Sequence, residues 1–461
     1  MRKETDTGAM DTGPGRELTP EFVSSINLAL DQNQTDDAIS MARSLHYADL
    51  ADLLENLAHL RREELIEALR SDFDQNILAE LDETIRERVI DQLGIPQLAE
   101  VVAGLETDDA IEVVEELDAD EQLEVLDSLP ENERSLIKEG LSYPEDSAGR
   151  LMQREVVAVS QEWSVGEAID YMRDSKGLPT DFFDIFLINS FQNPVGTVPL
   201  SRMMRTNTGV PLIDVMRKHI KIVPADMDQE EVAFLFRQRD LISAPVVDGV
   251  GRLVGVITVD DIVDVIHEEH EEDIMRLAGV GEEDDLYSAV IDTAKSRFAW
   301  LFIHLISAIL AAYVISFFAG TIEEMVALAI LMPIVAAMGG TASVQTLTVA
   351  VRAIAMKELT MSNAYRTIGK EVSVGILNGV IFAIIIGIVA WVWFGSPALG
   401  CVIALAICLN LIVAGLVGSS LPILIHRIGF DPAVASSAFL TSITDLVGFY
   451  VFLGLAAGLL L

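Results

Sequence analysis

The sequence predicts a mainly α-helical protein in two unlike halves. One is an acidic soluble half that includes a duplicated α/β unit, and the other is an apolar half of five membrane-length helices. Three observations carry this reading. First, of 31 basic and 71 acidic residues only six of each fall from Arg297 onward, so residues 1–296 hold 25 basic and 65 acidic residues and the whole net charge of −40. Second, apolar runs of about the 20 residues that a bilayer requires recur five times after Phe298. Third, a strand–helix–strand–strand pattern beginning at Val156 returns at Ile220. At 461 residues the chain is too long for one core, and 51% hydrophobic with 6% aromatic residues is not an ordinary soluble composition.

Residues 1–22, rich in Gly, Thr, Asp and Pro, are expected to be disordered. The opening Met1-Arg2-Lys3-Glu4 has no apolar core of a signal peptide, which places residues 1–296 in the cytosol. Residues 23–142 form an acidic helical domain, with apolar residues three and four apart as in Leu50-Ala51-Asp52-Leu53-Leu54-Glu55-Asn56-Leu57. Thr107-Asp108-Asp109 and Asp118-Ala119-Asp120-Glu121 supply helix caps and first-turn acids, and Ser128-Leu129-Pro130 marks a further start. So acidic a half argues against nucleic acid, whose phosphates need a basic face. It fits either divalent cations, for which carboxylates are the usual ligands, or a solvated acidic surface. Cys401 and Cys408, seven apart in an apolar stretch, read as small packing residues rather than a disulfide or zinc framework.

From Tyr143 the texture changes. Val156-Val157-Ala158-Val159-Ser160, a helix from Val165, Ile185-Phe186-Leu187-Ile188 and Pro194-Val195-Gly196-Thr197-Val198 make the first copy. Ile220-Lys221-Ile222-Val223-Pro224, a helix from Gln229, Ala244-Pro245-Val246-Val247 and Arg252 to Ile257 make the second. These copies, 143–207 and 208–274, resemble a tandem of CBS modules, regulatory units that sense small ligands. In such modules Gly255-Val256-Ile257-Thr258-Val259-Asp260-Asp261 implies adenosine ribose held by Thr258 and Asp261; the first copy, ending Gly196-Thr197-Val198-Pro199-Leu200-Ser201, lacks that feature.

Acids follow at Asp260-Asp261-Ile262-Val263-Asp264, at His267-Glu268-Glu269-His270-Glu271-Glu272-Asp273 and at Glu282-Glu283-Asp284-Asp285. On a helix Asp261, Asp264 and Glu268 share one face and Glu269, Glu272 and Asp273 another, a stacking of like charge that bound divalent cations would relieve. His267 and His270 are three apart, not the four of a zinc-protease helix, and read as a solvated pair. Residues 275–296 are expected to form a connecting helix.

The spans read as 298–319, 325–350, 372–394, 398–425 and 434–460. Lys295 and Arg297 precede the first, Arg352, Lys357, Arg366 and Lys370 follow the second, and Arg427 follows the fourth, while the opposite loops have no Lys or Arg. This puts the N-terminus inside and the C-terminus outside. In the second span, Pro333 precedes Gly339-Gly340, which either make a small-residue packing seam or, with Thr341, Ser343 and Gln345, line a path. The fifth span carries a lone acid, Asp445. A carboxylate there costs roughly 2.5–3.5 kcal/mol at mid-membrane, so it faces a partner helix or a water-filled path. Ser437 and Thr441, eight and four residues earlier on the same face, favour a cation path. An ion-coupled carrier would need a second titratable site, for which only His304 is available, and it reads as an ordinary core histidine. An intramembrane aspartyl protease would need two acids.

Together these parts resemble the MgtE family of magnesium channels across nearly the whole chain. The resemblance rests on Ser147-Ala148-Gly149-Arg150-Leu151-Met152, Arg297-Phe298-Ala299-Trp300-Leu301, Met332-Pro333 with Gly339-Gly340, Arg352, Asp431-Pro432-Ala433 and Thr444-Asp445. It implies a multi-pass protein of the plasma (inner) membrane, a homodimer with the pore on its two-fold axis and Asp445 facing hydrated Mg²⁺. It also implies closure by cytosolic Mg²⁺ at Asp261, Asp264, Glu269, Glu272 and Asp273, with Asp108 and Asp109 as further candidates, and an ATP or other adenosine nucleotide at the CBS pair. Thr341, Ser343 and Ser437 depart from the family pattern. They leave Co²⁺ and Mn²⁺ as alternative cargo.

Overall fold

The computed structural model describes residues 18–281, 290–434 and 437–460, apart from Asn33, Lys176, Thr180 and Asp181. Residues 1–17 and the acidic run at 282–285 lie outside the described residues. The chain divides into two compact units, Met1–Ile266 and His267–Leu461.

The first unit begins with short helices, from Pro20–Asp31 to Glu131–Gly140. Pro20–Asp31 corrects the expectation of disorder up to residue 22. Proline at the first helical position loses no hydrogen bond, Thr19 Oγ1 accepts from the Phe22 amide at 3.2 Å, and Phe22 and Ile26 are buried. Two buried bases close helix ends by donating to carbonyls that helices leave orphaned: Arg62 to Leu54 at 2.6 Å and Leu57 at 3.1 Å, and Arg86 to Leu81 at 2.9 Å. Thr107, expected as a cap, is instead the first residue of Thr107–Glu115, and its hydroxyl donates to Glu155 at 2.7 Å.

The duplicated unit forms two matching sheets. β1 (Ala158–Ser160) runs parallel to β2 (Asp184–Ile188), which pairs antiparallel with β3 (Pro194–Pro199). β4 (Val223–Pro224), β5 (Ser243–Val247) and β6 (Leu253–Thr258) repeat that order and sense. Both central strands break register at their last residue, Ile188 and Val247. The segment Ser147 to Met152 packs against the second sheet although it precedes the first: Ala148 N donates to Met227 O at 2.7 Å, Gly149 N to Ala225 O at 2.8 Å, and Ala148 and Met152 join the core of Val223, Val246 and Ile257.

The helix Val259–Ala278 ends at Gly279, whose φ of +73° is the left-handed conformation that stops helices. A separate connecting helix over 275–296 is therefore corrected. Residues 275–278 finish this helix, and the next described helix, Val290–Ser316, continues into the first apolar stretch. Five helices are long and apolar enough to cross a membrane: Thr293–Ser316, Ala327–Ala355, Ala364–Phe394, Pro397–Arg427 and Ser437–Leu459, called here the first to fifth spans. The second, fourth and fifth surround a core of Leu331, Val335, Ile403, Ile407 and Phe452. Gly375, Gly379 and Gly387 of the third lie against the fourth, the small-residue contact by which membrane helices approach closely.

Candidate ion path and carboxylate clusters

Ser437, Thr441 and Asp445 recur every fourth residue on the fifth span and are all half-buried, so helix geometry sets them on one partly open face. Asp445 Oδ1 is buried and has no hydrogen-bond partner among the described residues. The other hydroxyls of this stretch turn inward: Ser442 donates to Ala438 O at 2.8 Å and Thr444 to Thr441 O at 3.0 Å. Thr441 itself donates to Ser437 O at 2.8 Å, leaving its oxygen lone pairs available to a cation or its water.

The structure brings the second span to this face through Gly340. A β-carbon there would stand 3.0 Å from the Thr441 methyl, so glycine permits the contact. Gly339, the other half of the pair, instead meets the side-chain amide of Asn410 on the fourth span. The polar residues expected to line one path with them separate. Thr341 and Gln345 are exposed, whereas Ser343 is fully buried and donates to Gly340 O at 2.8 Å. His304 is also corrected: it is exposed, not a core histidine, and lies within electrostatic range of Asp445.

In the first unit, Asp108 and Asp109 of the helix Thr107–Glu115 meet Asp261 at the start of Val259–Ala278. Burial, then the charges of Asp261 and Asp109, push Asp108 well above the usual carboxylate range. Its Oδ1 is buried with no hydrogen-bond partner among the described residues. Burial, then Glu112, Glu106 and Asp261, push Asp109 up to about 7. Asp261 is raised by burial and partly held down by Thr258, whose amide and hydroxyl donate to its Oδ2 at 3.1 and 2.7 Å. Two members escaped the sequence reading. Glu106 is bonded by Gln153 Nε2 at 2.8 Å, and Glu80, raised mainly by burial, feels Asp264. Among the described residues no group of three or more such side chains is arranged to hold a metal ion. The acids are close enough to disfavour one another's charge without yet converging. An orphaned buried carboxylate oxygen among them fits a divalent cation.

The remaining sensing candidates fall in the second unit. Glu272 pairs with Arg276, and Arg276 also reaches Asp431. Asp431 Oδ1 in turn accepts the Ala433 amide at 2.9 Å. Asp273 is raised by burial and by Asp431. Glu269 is half-buried on the same face, and His267 and His270 are exposed as expected of a solvated pair. Arg276 was visible as the residue four after Glu272, the usual ion-pair spacing.

Residues 332–455 match the family described as MgtE, divalent cation transporter. Residues 45–146 match the MgtE intracellular N domain, and 148–207 and 212–268 match the CBS domain. A magnesium transporter MgtE of Bacillus subtilis is 28% identical over 436 residues, 95% of this chain and 97% of the relative. Those of Enterococcus faecalis and Thermus thermophilus are 32% and 33% identical over 321 residues, covering 70% and 69% of this chain and 71% of each relative. Among solved structures, the cytosolic domain of the Mg²⁺ channel MgtE in complex with ATP is 27% identical with a TM-score of 0.49, covering 53% of this chain and 99% of that one. With matches to all three domains and relatives aligned over most of its length, this chain is a multi-pass membrane protein that belongs to the MgtE family of divalent cation transporters.

Proposed function

We propose that the chain conducts Mg²⁺ across the plasma (inner) membrane and closes when cytosolic Mg²⁺ occupies its carboxylate clusters. The observation that carries the first part is the buried, unpartnered Asp445 oxygen on a half-open face with Thr441 and Ser437, beside Gly340. Mg²⁺ sheds water reluctantly, so a few oxygens that attract its hydration shell suit it better than a full cage. The proposed pore lies on the two-fold axis of a homodimer, with two copies of Asp445, the N-terminal domains in the cytosol and the C-terminus outside. The regulatory ion would be held by Asp108, Asp109 and Asp261, with Asp264 beside them. Glu269, Glu272 and Asp273 form a second candidate set. Cation binding there would offset both the burial and the neighbouring negative charge that raise Asp108, Asp109, Asp261 and Asp273.

A nucleotide on the CBS pair is proposed from the module match. Thr258, whose hydroxyl donates to Asp261 at 2.7 Å, and Asp261 are the residues proposed to hold its ribose.

Ion flux through the purified protein in liposomes, with each of Mg²⁺, Co²⁺, Mn²⁺ and Ca²⁺ titrated on each face, tests this reading. Mg²⁺ flux that falls as Mg²⁺ rises on the cytosolic face is expected. Flux that requires a proton gradient would replace the channel by a coupled carrier, a reading favoured by His304 standing near Asp445.

A further inference from the structure

Two glycines bring the fifth span against the second, one on either side of Asp445 along the helix. Gly340 of the second span meets Thr441, where a β-carbon would stand 3.0 Å from the threonine methyl, and Gly448 of the fifth meets Val335, where a β-carbon would stand 3.2 Å from Cγ1. The lower number on one span faces the higher on the other, as antiparallel helices require. At 1.5 Å per residue, Asp445 lies about 6 Å along the axis from Thr441 and about 4.5 Å from Gly448. On a helical turn of 3.6 residues, Thr441 and Gly448 also fall to the same side of Asp445, by about 40° and about 60°. The contact with the second span therefore runs beside the carboxylate and not over it.

The contact at Gly448 is held by a polar side chain. The core shared by these spans, with Val335, Ile407, Leu411 and Phe452, is apolar, yet Asn410 of the fourth span is only 1% exposed. Asn410 Nδ2 donates to Val335 O at 3.0 Å, and the absence of a side chain at Gly339 lets the amide reach that carbonyl. Asn410 Oδ1 is buried with no hydrogen-bond partner among the described residues. An apolar side chain of the same branched shape would leave no oxygen unpaired, so packing alone does not account for an amide here. What the amide adds is direction. One donor aimed at one carbonyl fixes the height of the second span against the fourth, where apolar contacts would let it slide. The same Nδ2 stands 2.7 Å from where a β-carbon of Gly448 would be, and so carries that register to the fifth span. We propose that Asn410 is a positioning residue of the ion path, one that sets, through Val335 and Gly448, the height and rotation at which Asp445 presents its carboxylate; this rests on the reading of Asp445 as the acid of that path.

Flux through the full-length protein in liposomes, with Mg²⁺ compared against Ca²⁺ and Na⁺, tests it alongside the unfolding temperature in detergent. Asn410→Ala removes the amide and cannot overpack. It should lower the preference for Mg²⁺ over each competitor by about threefold or more, the bias that one interhelical hydrogen bond gives on average in membrane proteins. Ile403→Ala opens a cavity in the same core, about two turns earlier on the fourth span. It should lower the unfolding temperature at least as much as Asn410→Ala and leave the preference unchanged. Asn410→Leu, with the branched shape but no polar atom, should shift the preference in the same direction as Asn410→Ala. A shift in the leucine variant alone would be overpacking, and an equal shift in Ile403→Ala would make Asn410 an ordinary core residue; either result overturns the positioning role. Wild-type preference in both Asn410 variants while Asp445→Asn alters it overturns the positioning role and leaves the path. Wild-type flux and preference in Asp445→Asn would overturn the path itself, and the role of Asn410 with it.

Discussion

The side-chain amide of Asn410, on the fourth span, donates to the Val335 carbonyl of the second span at 3.0 Å. The same amide fills the space that a side chain at Gly339 or at Gly448 of the fifth span would need. Three spans therefore converge on one residue that is 1% exposed. Its Oδ1 finds no partner among the described residues. The two glycines and the asparagine are conditions of one another.

That dependence is measurable. Gly339→Ala forces a methyl into Asn410, and such overpacking costs about 1–3 kcal/mol. Asn410→Ala alone loses an interhelical hydrogen bond worth about 0.6 kcal/mol on average in membrane proteins. In the double variant the methyl has room, so thermal unfolding in detergent should show it more stable than Gly339→Ala alone. Strictly additive losses would mean that the two residues are not coupled.

Asp445→Asn keeps the shape of the side chain and removes the only acid on the face it shares with Thr441 and Ser437. Divalent flux in liposomes should fall, or its selectivity over monovalent ions weaken. Gly340→Leu should give a folded protein with impaired flux, because the added side chain meets the Thr441 methyl. Unchanged Mg²⁺ conduction in both variants would remove this face from the path.

The two halves of the protein were legible because each is written in local pattern: charge balance, apolar length, and a repeat of strand, helix and strand pair beginning at Val156 and again at Ile220. What was not legible depends on partners distant in sequence. Nothing local indicates that Ala148 and Met152 complete the second sheet's core, that Glu106 and Glu80 join Asp108 and Asp264, or that Asn410 decides why residue 339 is glycine. The acids after Asp260 looked like one charge run on two helix faces. Their neighbours separate them, Asp261 and Asp264 toward the helical domain's acids and Glu272 toward Arg276. Gly279 was readable as a stop, and the expected helix over 275–296 overlooked it.

Arg276 supplies the positive charge between Glu272 and Asp431, with Asp273 close enough to feel Asp431. Arg276→Gln would leave those acids facing one another. The expected result is a lower unfolding temperature of the second unit that millimolar Mg²⁺ partly restores, since a divalent cation substitutes for the lost guanidinium. Asp431→Asn added to Arg276→Gln should recover part of the loss without Mg²⁺. No difference between wild type and Arg276→Gln would make the pair an ordinary surface bridge, worth about 0–1 kcal/mol.

The regulatory cluster is tested by separating the two carboxylate sets. Two like charges 4 Å apart repel by roughly 1 kcal/mol in water and about 4 kcal/mol at an effective dielectric of 20. A few such pairs among Asp108, Asp109, Glu106 and Asp261 are enough to bias a two-state element that needs about 5.5 kcal/mol to switch fully. Without divalent cations the first unit should open locally at this cluster and be cut there by protease, and millimolar Mg²⁺ should protect it. Asp108→Asn with Asp261→Asn removes both the repulsion and the ligands, so protection should no longer respond to Mg²⁺ and cytosolic Mg²⁺ should no longer reduce flux. Glu269→Gln with Glu272→Gln changes only the second set and should leave the protease response of residues 18–266 intact. If Mg²⁺ protects the wild type and the Asp108/Asp261 variant equally, these acids are a solvated surface and the sensor lies elsewhere.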